Sequence, residues 1–301
     1  MQKSQGVKEK MQVAIHAGVA FSDEGLVMSS LGANRSVLAK YRTAVLGPRR
    51  SRLFVKVMSD SILQGVSDAD ARNRLSELVA GNQNLDRVVV SSDKFFGPRR
   101  TALQDGQIYP FAGNRTAHTD TLLDGVQVQV FAGLVNPGVF IPKILASIHE
   151  DHRRDILAST DLSCLSWLGM IEDLRDLAPQ VQLTLWEHEN SPLIWGDIIR
   201  AIAGLPDEAV LHEEFAFLSS LLTEAGQRHV LDIVRKGDAI DHGRRREEMA
   251  NILDEYARPE QIEEELDLPG WNSDIVEAFT ELYEQDLATI RSMPDVHVLQ
   301  I

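Results

Sequence analysis

Four short runs of β-branched and apolar residues limit what this chain can fold into. They cover residues 11–17, 87–92, 126–130 and 181–186, and their alternating or continuous apolar character is typical of β-strands. The segments between them are longer than the dozen or so residues that a crossover between parallel strands requires. The sequence therefore predicts an α/β fold, with a mainly parallel sheet flanked by helices on both faces.

The first of these strands leads into a loop and then a helix. The loop starts at Gly18, and apolar residues recur at helical spacing from Val27 to Tyr41, which predicts one amphipathic helix there. In open α/β sheets, the loop after such a strand is where ligands usually bind, at the amino terminus of the following helix. This loop is therefore the first candidate for a ligand-binding site.

The last third of the chain has a different character. After Pro206 the strand signals stop, and helical stripes are predicted over residues 215–225 and 275–290, the second opened by Asp274 and Glu277 as a capping pair. We predict two parts: an α/β core over residues 1–205 and an acidic, mostly helical region over residues 206–301 packed on that core.

The net charge of -15 is unevenly distributed. The first 150 residues carry 18 basic and 13 acidic side chains, net +5, whereas the remainder carries 12 and 32, net -20. An anionic small ligand is therefore expected to bind in the first half. The acidic second half argues against a nucleic-acid surface and could face a basic protein partner or serve as solubilising surface.

Cysteine content and hydropathy bear on location. Cys164 is the only cysteine, so no intrachain disulfide can form, and we expect a small buried side chain there. No run of about 18 apolar residues occurs, and none follows the charged first residues. We expect neither a membrane span nor a signal peptide, and a cytoplasmic location.

Several segments together resemble a known family. They are IHAGVAFSDEGLVMSSLGANRSVL at residues 15–38, VVVSSDKFFG at 88–97, GLVNPGVFIP at 133–142, LTLWEHENSPLIW at 183–195 and ELYEQDLATI at 281–290. In this order they resemble the PAPS-dependent sulfotransferase family, in a divergent bacterial branch. The resemblance spans nearly the whole chain and implies a P-loop-like fold with PAPS as the cofactor.

The resemblance assigns the first loop to the 5'-phosphosulfate of PAPS. Gly18 and Ser22 match the family's glycine and hydroxyl positions. Phe21 stands where the family has its lysine, while Asp23 and Glu24 replace a glycine and a threonine. The charge of the loop is thus three units more negative than in the family's pattern. Asp23 and Glu24 could hold a divalent cation that bridges to an anion, or simply complement the dipole of the next helix.

The resemblance assigns a second segment, of R-N-P type, to the 3'-phosphate. Asn136 and Pro137 match that segment, whereas Val135 occupies its arginine position and Lys143 its later serine position. The positions implied for the cofactor are therefore Gly18, Ser22, Asn136 and Lys143. No catalytic residue is assigned.

These departures lead to three hypotheses about function. The first is a degenerate sulfotransferase-like protein without PAPS-dependent sulfuryl transfer, without a cofactor, and acting in binding or assembly. The alternative is an active transferase that holds PAPS through Lys143 and the arginines of two GPRR tetrapeptides, at residues 47–50 and 97–100. A second alternative is a metal-dependent enzyme that uses His149 and His152 at helical spacing.

Two further clusters have open interpretations. Glu187, His188 and Glu189 directly follow a predicted strand, where they could act as a coupled acid and base or form an ordinary polar turn. Residues 244–246 are three arginines in an acidic helical region, which we expect to form internal salt bridges.

Overall fold

The computed structural model describes residues 10–79, 84–236, 242–262, 268 and 270–301. Its centre is a six-stranded sheet in the order β2-β3-β1-β6-β7-β8, with every neighbouring pair parallel. The strands of this sheet are β1 (Gln12–His16), β2 (Thr43–Val45), β3 (Arg87–Ser91), β6 (Gln127–Leu134), β7 (Gln182–Glu187) and β8 (Val296–Leu299). The predicted α/β fold with a parallel sheet is confirmed.

Helices cover both faces of the sheet. Those up to the end of β6 are α1 (Leu26–Ala33), α2 (Arg35–Lys40), α3 (Pro48–Leu63), α4 (Asp68–Val79) and α5 (Ala112–Leu122). Those that follow are α6 (Pro137–Ser147), α7 (Glu150–Ser159), α8 (Trp167–Leu177), α9 (Ser191–Ala203), α10 (Ala216–Leu221), α11 (Glu224–Lys236), α12 (His242–Tyr256), α13 (Pro259–Ile262) and α14 (Ser273–Ser292). A two-stranded antiparallel hairpin, β4 (Leu103–Gln104) and β5 (Gln107–Ile108), precedes α5.

The strand pattern divides the core into two apolar layers. Val13 and Ile15 of β1 pack into the larger layer with residues of α3, α5, α6, α8 and α14, while Ala14 packs into a second layer with residues of α1 and α9. All three side chains are fully buried. Burial on both faces explains why these strands read as nearly continuous apolar runs in the sequence.

Two strands of the sheet were not predicted. β2 has three residues and β8 has four, and both lie at the edges of the sheet. β8 pairs with β7, with Val296 opposite Leu183, so the expectation that strands stop after Pro206 was wrong. α14 packs against α6 and α8. Both α14 and β8 therefore belong to the same layers as the core.

Three helix boundaries also differ from the prediction. The helix predicted over residues 27–41 is broken at Asn34, whose side chain donates to the His212 carbonyl at 2.9 Å and accepts from the His212 amide at 2.7 Å. The stripe over residues 215–225 is divided between α10 and α11, because Thr223 donates its N–H to the carbonyl of Tyr256. α14 is capped by Asn272, which accepts from the Ile275 amide at 3.0 Å, rather than by Asp274.

Cys164 lies in a short 3-10 helix over Leu162–Cys164 and is exposed. The expectation of a buried thiol was therefore wrong: Leu165, directly after it, is the residue that enters the core. Within the described ranges, no helix is both long and apolar enough to cross a membrane. The first nine residues, on which the signal-peptide expectation bears, lie outside the described residues.

A charge network joins the helices after residue 205 to the core. Arg200 of α9 is 7% exposed, and its guanidinium donates to the carboxylate of Glu214 and to the carbonyl of Ala209 at 3.0 Å. Asp197 accepts from Arg200 at 3.3 Å and from Arg246 of α12 at 2.9 Å. α9 therefore anchors both the 209–214 segment and α12. Arg246 pairs with Asp197 and Arg244 pairs with Glu248 at 3.5 Å, which confirms the expected salt bridges for two of the three arginines at 244–246.

We expect Glu214→Ala to lower the free energy of unfolding by about 1–3 kcal/mol, because it leaves the buried Arg200 guanidinium with fewer acceptors. Arg154→Ala, which removes an exposed pair with Glu150, should change it by less than about 0.5 kcal/mol. Urea denaturation followed by circular dichroism measures both values. Equal effects of the two substitutions would contradict the anchoring role of Arg200.

Candidate functional site at the carboxyl edge of the sheet

The carboxyl ends of β1 and β6 define the candidate site. After β1 the chain turns toward β2 on one side of the sheet, whereas after β6 it turns toward β7 on the other. The two connections therefore diverge above neighbouring strands, which is the arrangement that forms a ligand crevice in open α/β sheets. The loop over residues 17–25 follows β1, and the segment 135–136 follows β6.

The start of the first loop continues the pairing with β6. Ala17 donates its N–H to Phe131 at 2.8 Å, and Gly133 donates to Gly18 at 2.8 Å. Gly18 has a φ of +94°, and a Cβ placed on it would lie 3.1 Å from the Cα of Asp93. A side chain cannot be accommodated there without strain. Gly18 therefore lets the loop pack directly on the segment that follows β3.

Ser22 and Asp23 bond within the loop and with α1. The Ser22 hydroxyl is buried and donates to the carbonyl of Val19 at 2.8 Å. The Asp23 carboxylate accepts from the Val27 amide at 3.1 Å, and its carbonyl accepts from the Leu26 amide at 2.8 Å. Two N–H groups in the first turn of α1 thus donate to Asp23. A bound anion would accept hydrogen bonds from the same groups.

Phe21 lies beneath two cations. Its φ is +69°, and the Arg99 guanidinium lies 4.3 Å and the Lys143 ammonium 5.4 Å from the centre of its ring. Both distances fall within the range of cation–π attraction. Arg99 also faces Asp93 at 3.8 Å. The position where the resemblance places a lysine therefore holds an aromatic ring with two basic side chains from elsewhere in the chain.

The asparagine segment is built into the packing of α14. The Asn136 side chain caps α6 by accepting from the Gly138 amide at 2.8 Å, and it donates to the Thr280 hydroxyl at 2.8 Å. Its backbone N–H donates to Glu189 at 2.9 Å. Val135 is buried, and its carbonyl accepts from the Trp167 indole. The matched residues here serve contacts within the protein.

The polar residues after β7 join the same network. The Tyr283 hydroxyl lies 2.7 Å from the carbonyl of Leu134 and 3.1 Å from the carboxylate of Glu189. Burial and the charge of Glu189 raise the pKa of Tyr283 well above its ordinary value. Glu187 pairs with Arg291 of α14, and His188 packs on the ring of Phe217. The predicted acid–base cluster is thus drawn into contacts with α14 and with Phe217 of α10.

His16 is the residue at this edge that the sequence reasoning missed. Its ring is 1% exposed, is stacked on Trp186 at 6.1 Å, and contacts the Ser91 hydroxyl through Nδ1 at 2.9 Å. The indole lies across Gly133, where a Cβ would come within 2.6 Å of it. Its Nε2 has no hydrogen-bond partner among the described residues. The signal in the sequence was a histidine at the end of β1, directly after three apolar residues.

Burial lowers the pKa of His16 below 6.5, and the charges of Asp23 and Asp93 partly offset this effect. The imidazole is therefore neutral in the fold near pH 7. A neutral ring can pack against Trp186 without the cost of burying a charge.

The other predicted candidates lie apart from this edge. His149 precedes α7 as its cap and accepts from the Asp151 amide at 3.3 Å, so it does not share a helical face with the exposed His152. Arg50 donates to the carbonyl of Leu78, and Arg49 and Arg100 are exposed. Over the described ranges, no group of three or more histidine, cysteine or acidic side chains is arranged to hold a metal ion.

Comparison with known proteins adds no assignment. No protein-family model matches the chain, and a search of curated proteins found no match.

We expect the stability of the protein to fall with acidification through His16. The unfolded chain takes up the proton near pH 6.5, whereas the folded imidazole resists it until a lower pH. The free energy of unfolding should therefore decrease below about pH 6.5, by up to roughly 1.4 kcal/mol per pH unit from this residue, and level off below the folded pKa.

The measurement is urea denaturation between about pH 7 and pH 5. His16→Gln should remove part of the slope, while His297→Gln on the exposed side of β8 should retain it. An unchanged slope in His16→Gln would contradict the assignment.

Proposed function

We propose that this chain is a degenerate sulfotransferase-like protein that has lost PAPS-dependent sulfuryl transfer and acts in binding or assembly. The observation that carries the proposal is the Asp23 carboxylate on the amide of Val27. A carboxylate belonging to the protein already occupies the hydrogen-bonding position that an incoming phosphosulfate would need. Ser22 supports the same conclusion, since its hydroxyl donates to the carbonyl of Val19.

Electrostatic magnitudes favour this interpretation. Relative to the family's pattern, Phe21 removes one positive charge and Asp23 and Glu24 add two negative ones. At about 5 Å and an effective dielectric constant near 20, each unit is worth roughly 3 kcal/mol against an anion. Even a third of that sum is about 3 kcal/mol, or roughly a hundredfold in affinity. Transfer would also require positive charge near the leaving oxygen, a position that Phe21 cannot serve.

The second segment supports the proposal independently. Asn136 bonds to Gly138 and Thr280, and a Cβ on Gly138 would lie 3.2 Å from the Cα of Val276 in α14. The first turn of α6 is therefore covered by α14. A 3'-phosphate at this position would have to displace packed protein.

The location and partners proposed for the chain follow the same reasoning. The single cysteine and ordinary composition favour the cytoplasm, and the acidic second half favours a protein partner over nucleic acid. We propose no cofactor for this role.

Calorimetric titration with adenosine 3',5'-bisphosphate, the product of PAPS, tests the proposal. We expect no heat of binding at low salt, with or without magnesium, from protein whose circular dichroism shows it to be folded. The magnesium titration addresses a cation held by Asp23 and Glu24. Micromolar binding in either buffer, or sulfuryl transfer from PAPS to any acceptor, would contradict the proposal.

One observation favours an active transferase as the second candidate. Arg99 and Lys143 both lie over the ring of Phe21, so two basic side chains have been brought to the loop that lost its lysine. They could hold an anionic donor from above the ring. The geometry favours Arg99, rather than Arg50 or Arg100, as the arginine of this alternative.

Under this alternative, Arg99→Ala and Lys143→Ala should each weaken binding of the bisphosphate by roughly tenfold or more, since each removes a full charge from the anion site. Arg50→Ala should leave it unchanged, because Arg50 contacts Leu78 on α4. The same calorimetric titration measures all three variants. Equal affinities across the three would exclude the alternative.

A further inference from the structure

A groove between α11 and α12 lies away from the candidate site. Its volume is about 570 Å³, and its lining residues come from both helices: His229, Asp232, Ile233, Glu248, Asn251, Ile252, Glu255 and Tyr256. Ile233 and Ile252 are buried and form its floor. Three of the lining residues are carboxylates. An apolar floor between acidic walls is the form of groove that receives one face of a helix. We call it the α11–α12 groove.

Among the described residues, two of the three groove carboxylates pair with exposed arginines. Asp232 faces Arg235 at 3.1 Å, and Glu248 faces Arg244 at 3.5 Å. The two arginine side chains are 75% and 73% exposed, and ion pairs of this kind contribute about 0–1 kcal/mol. A cation from a partner can therefore replace them at little cost.

A basic ridge of matching character lies on α3. Arg49, Arg52, Leu53 and Lys56 are exposed at positions i, i+3, i+4 and i+7 and so share one face. Leu53 is 43% exposed at the middle of this face. We call these four residues the α3 ridge. Beside it, a groove of about 280 Å³ between α3 and α4 is lined by Leu53, Val57, Arg74, Glu77 and Leu78.

We propose that the α11–α12 groove of one copy receives the α3 ridge of a second copy. Along α12 the groove extends from Glu248 to Tyr256, about 12 Å, and the ridge extends over about 10 Å. Leu53 would contact Ile233 and Ile252, with the ridge cations opposite the three carboxylates. Ridges that enter grooves are the usual mode of helix packing.

The charge distribution of the chain supports this contact. The first 150 residues carry a net charge of +5 and the rest -20, so the copies attract when opposite halves meet. The contact joins two different surfaces, so it builds rings or open chains rather than a twofold dimer.

This inference rests on the proposed assembly role and names its partner. Sedimentation velocity of the full chain, at about 50 mM and about 500 mM salt, tests it, because interactions between exposed charges are screened at the higher salt. We expect species larger than the monomer at low salt that dissociate at high salt. A monomer at low salt overturns the inference, including the case in which a different protein occupies the groove.

Charge-reversed variants test the pairing itself. Glu248→Lys with Glu255→Lys reverses the groove, and Arg52→Glu with Lys56→Glu reverses the ridge. We expect each double variant alone to raise the dissociation constant at least about tenfold, and an equimolar mixture of the two to associate again. Glu277→Lys with Glu281→Lys, on the exposed face of α14, is the matched control and should associate like the unmodified chain.

Association of either reversed variant at unmodified strength, or failure of the mixture to associate, overturns the pairing. If a reversed variant does not fold, Leu53→Ser removes the apolar contact instead and should also weaken association. Titration of the same samples with adenosine 3',5'-bisphosphate separates the two proposals. A monomer that binds no nucleotide refutes this contact alone, whereas an oligomer that binds it refutes the loss of PAPS chemistry alone.

Discussion

The pairing of β1 with both β3 and β6 is the constraint on which the rest of the structure depends. It places three carboxyl ends side by side and aligns His16 with Ser91 and Phe131. Because Gly18 has no side chain, the first loop can extend this pairing and pack on Asp93. The contacts of the candidate site, including the position of Phe21 beneath Arg99, follow from that alignment.

The loop illustrates how a binding edge can be satisfied from within. Amide groups that would be open to an anion are bonded to Asp23, the hydroxyl of Ser22 is bonded to the backbone, and the asparagine cap of α6 is locked to α14. Each contact lowers the free energy of the folded chain. Each also occupies a hydrogen-bond donor of the protein that a ligand would otherwise use. A loop of this kind contributes to the stability of the fold through donors and acceptors that are already paired within the protein.

Much of the fold could be predicted from the sequence, but the site could be predicted only in part. β1, β3, β6 and β7 are buried on both faces, so their apolar runs are visible in the sequence. β2 and β8 are edge strands of three and four residues, and alternation over so few residues does not distinguish a strand from a loop. The break at Asn34 depends on His212, and the contact of Phe21 with Arg99 joins residues far apart in the chain. Tertiary contacts of this kind leave no local pattern.

The pairing of β8 with β7 has a consequence for how the chain reaches this structure. Val296 lies opposite Leu183, so more than a hundred residues separate the two strands that must meet to complete the sheet. Closing such a long loop costs entropy that no local contact offsets, which makes pairings of high sequence separation slow to form. Until β8 docks, the edge of β7 offers unpaired backbone groups to other chains. Once docked, β8 replaces the six-residue edge of β7 with an edge of four residues, and a short edge strand offers less backbone for pairing with other chains.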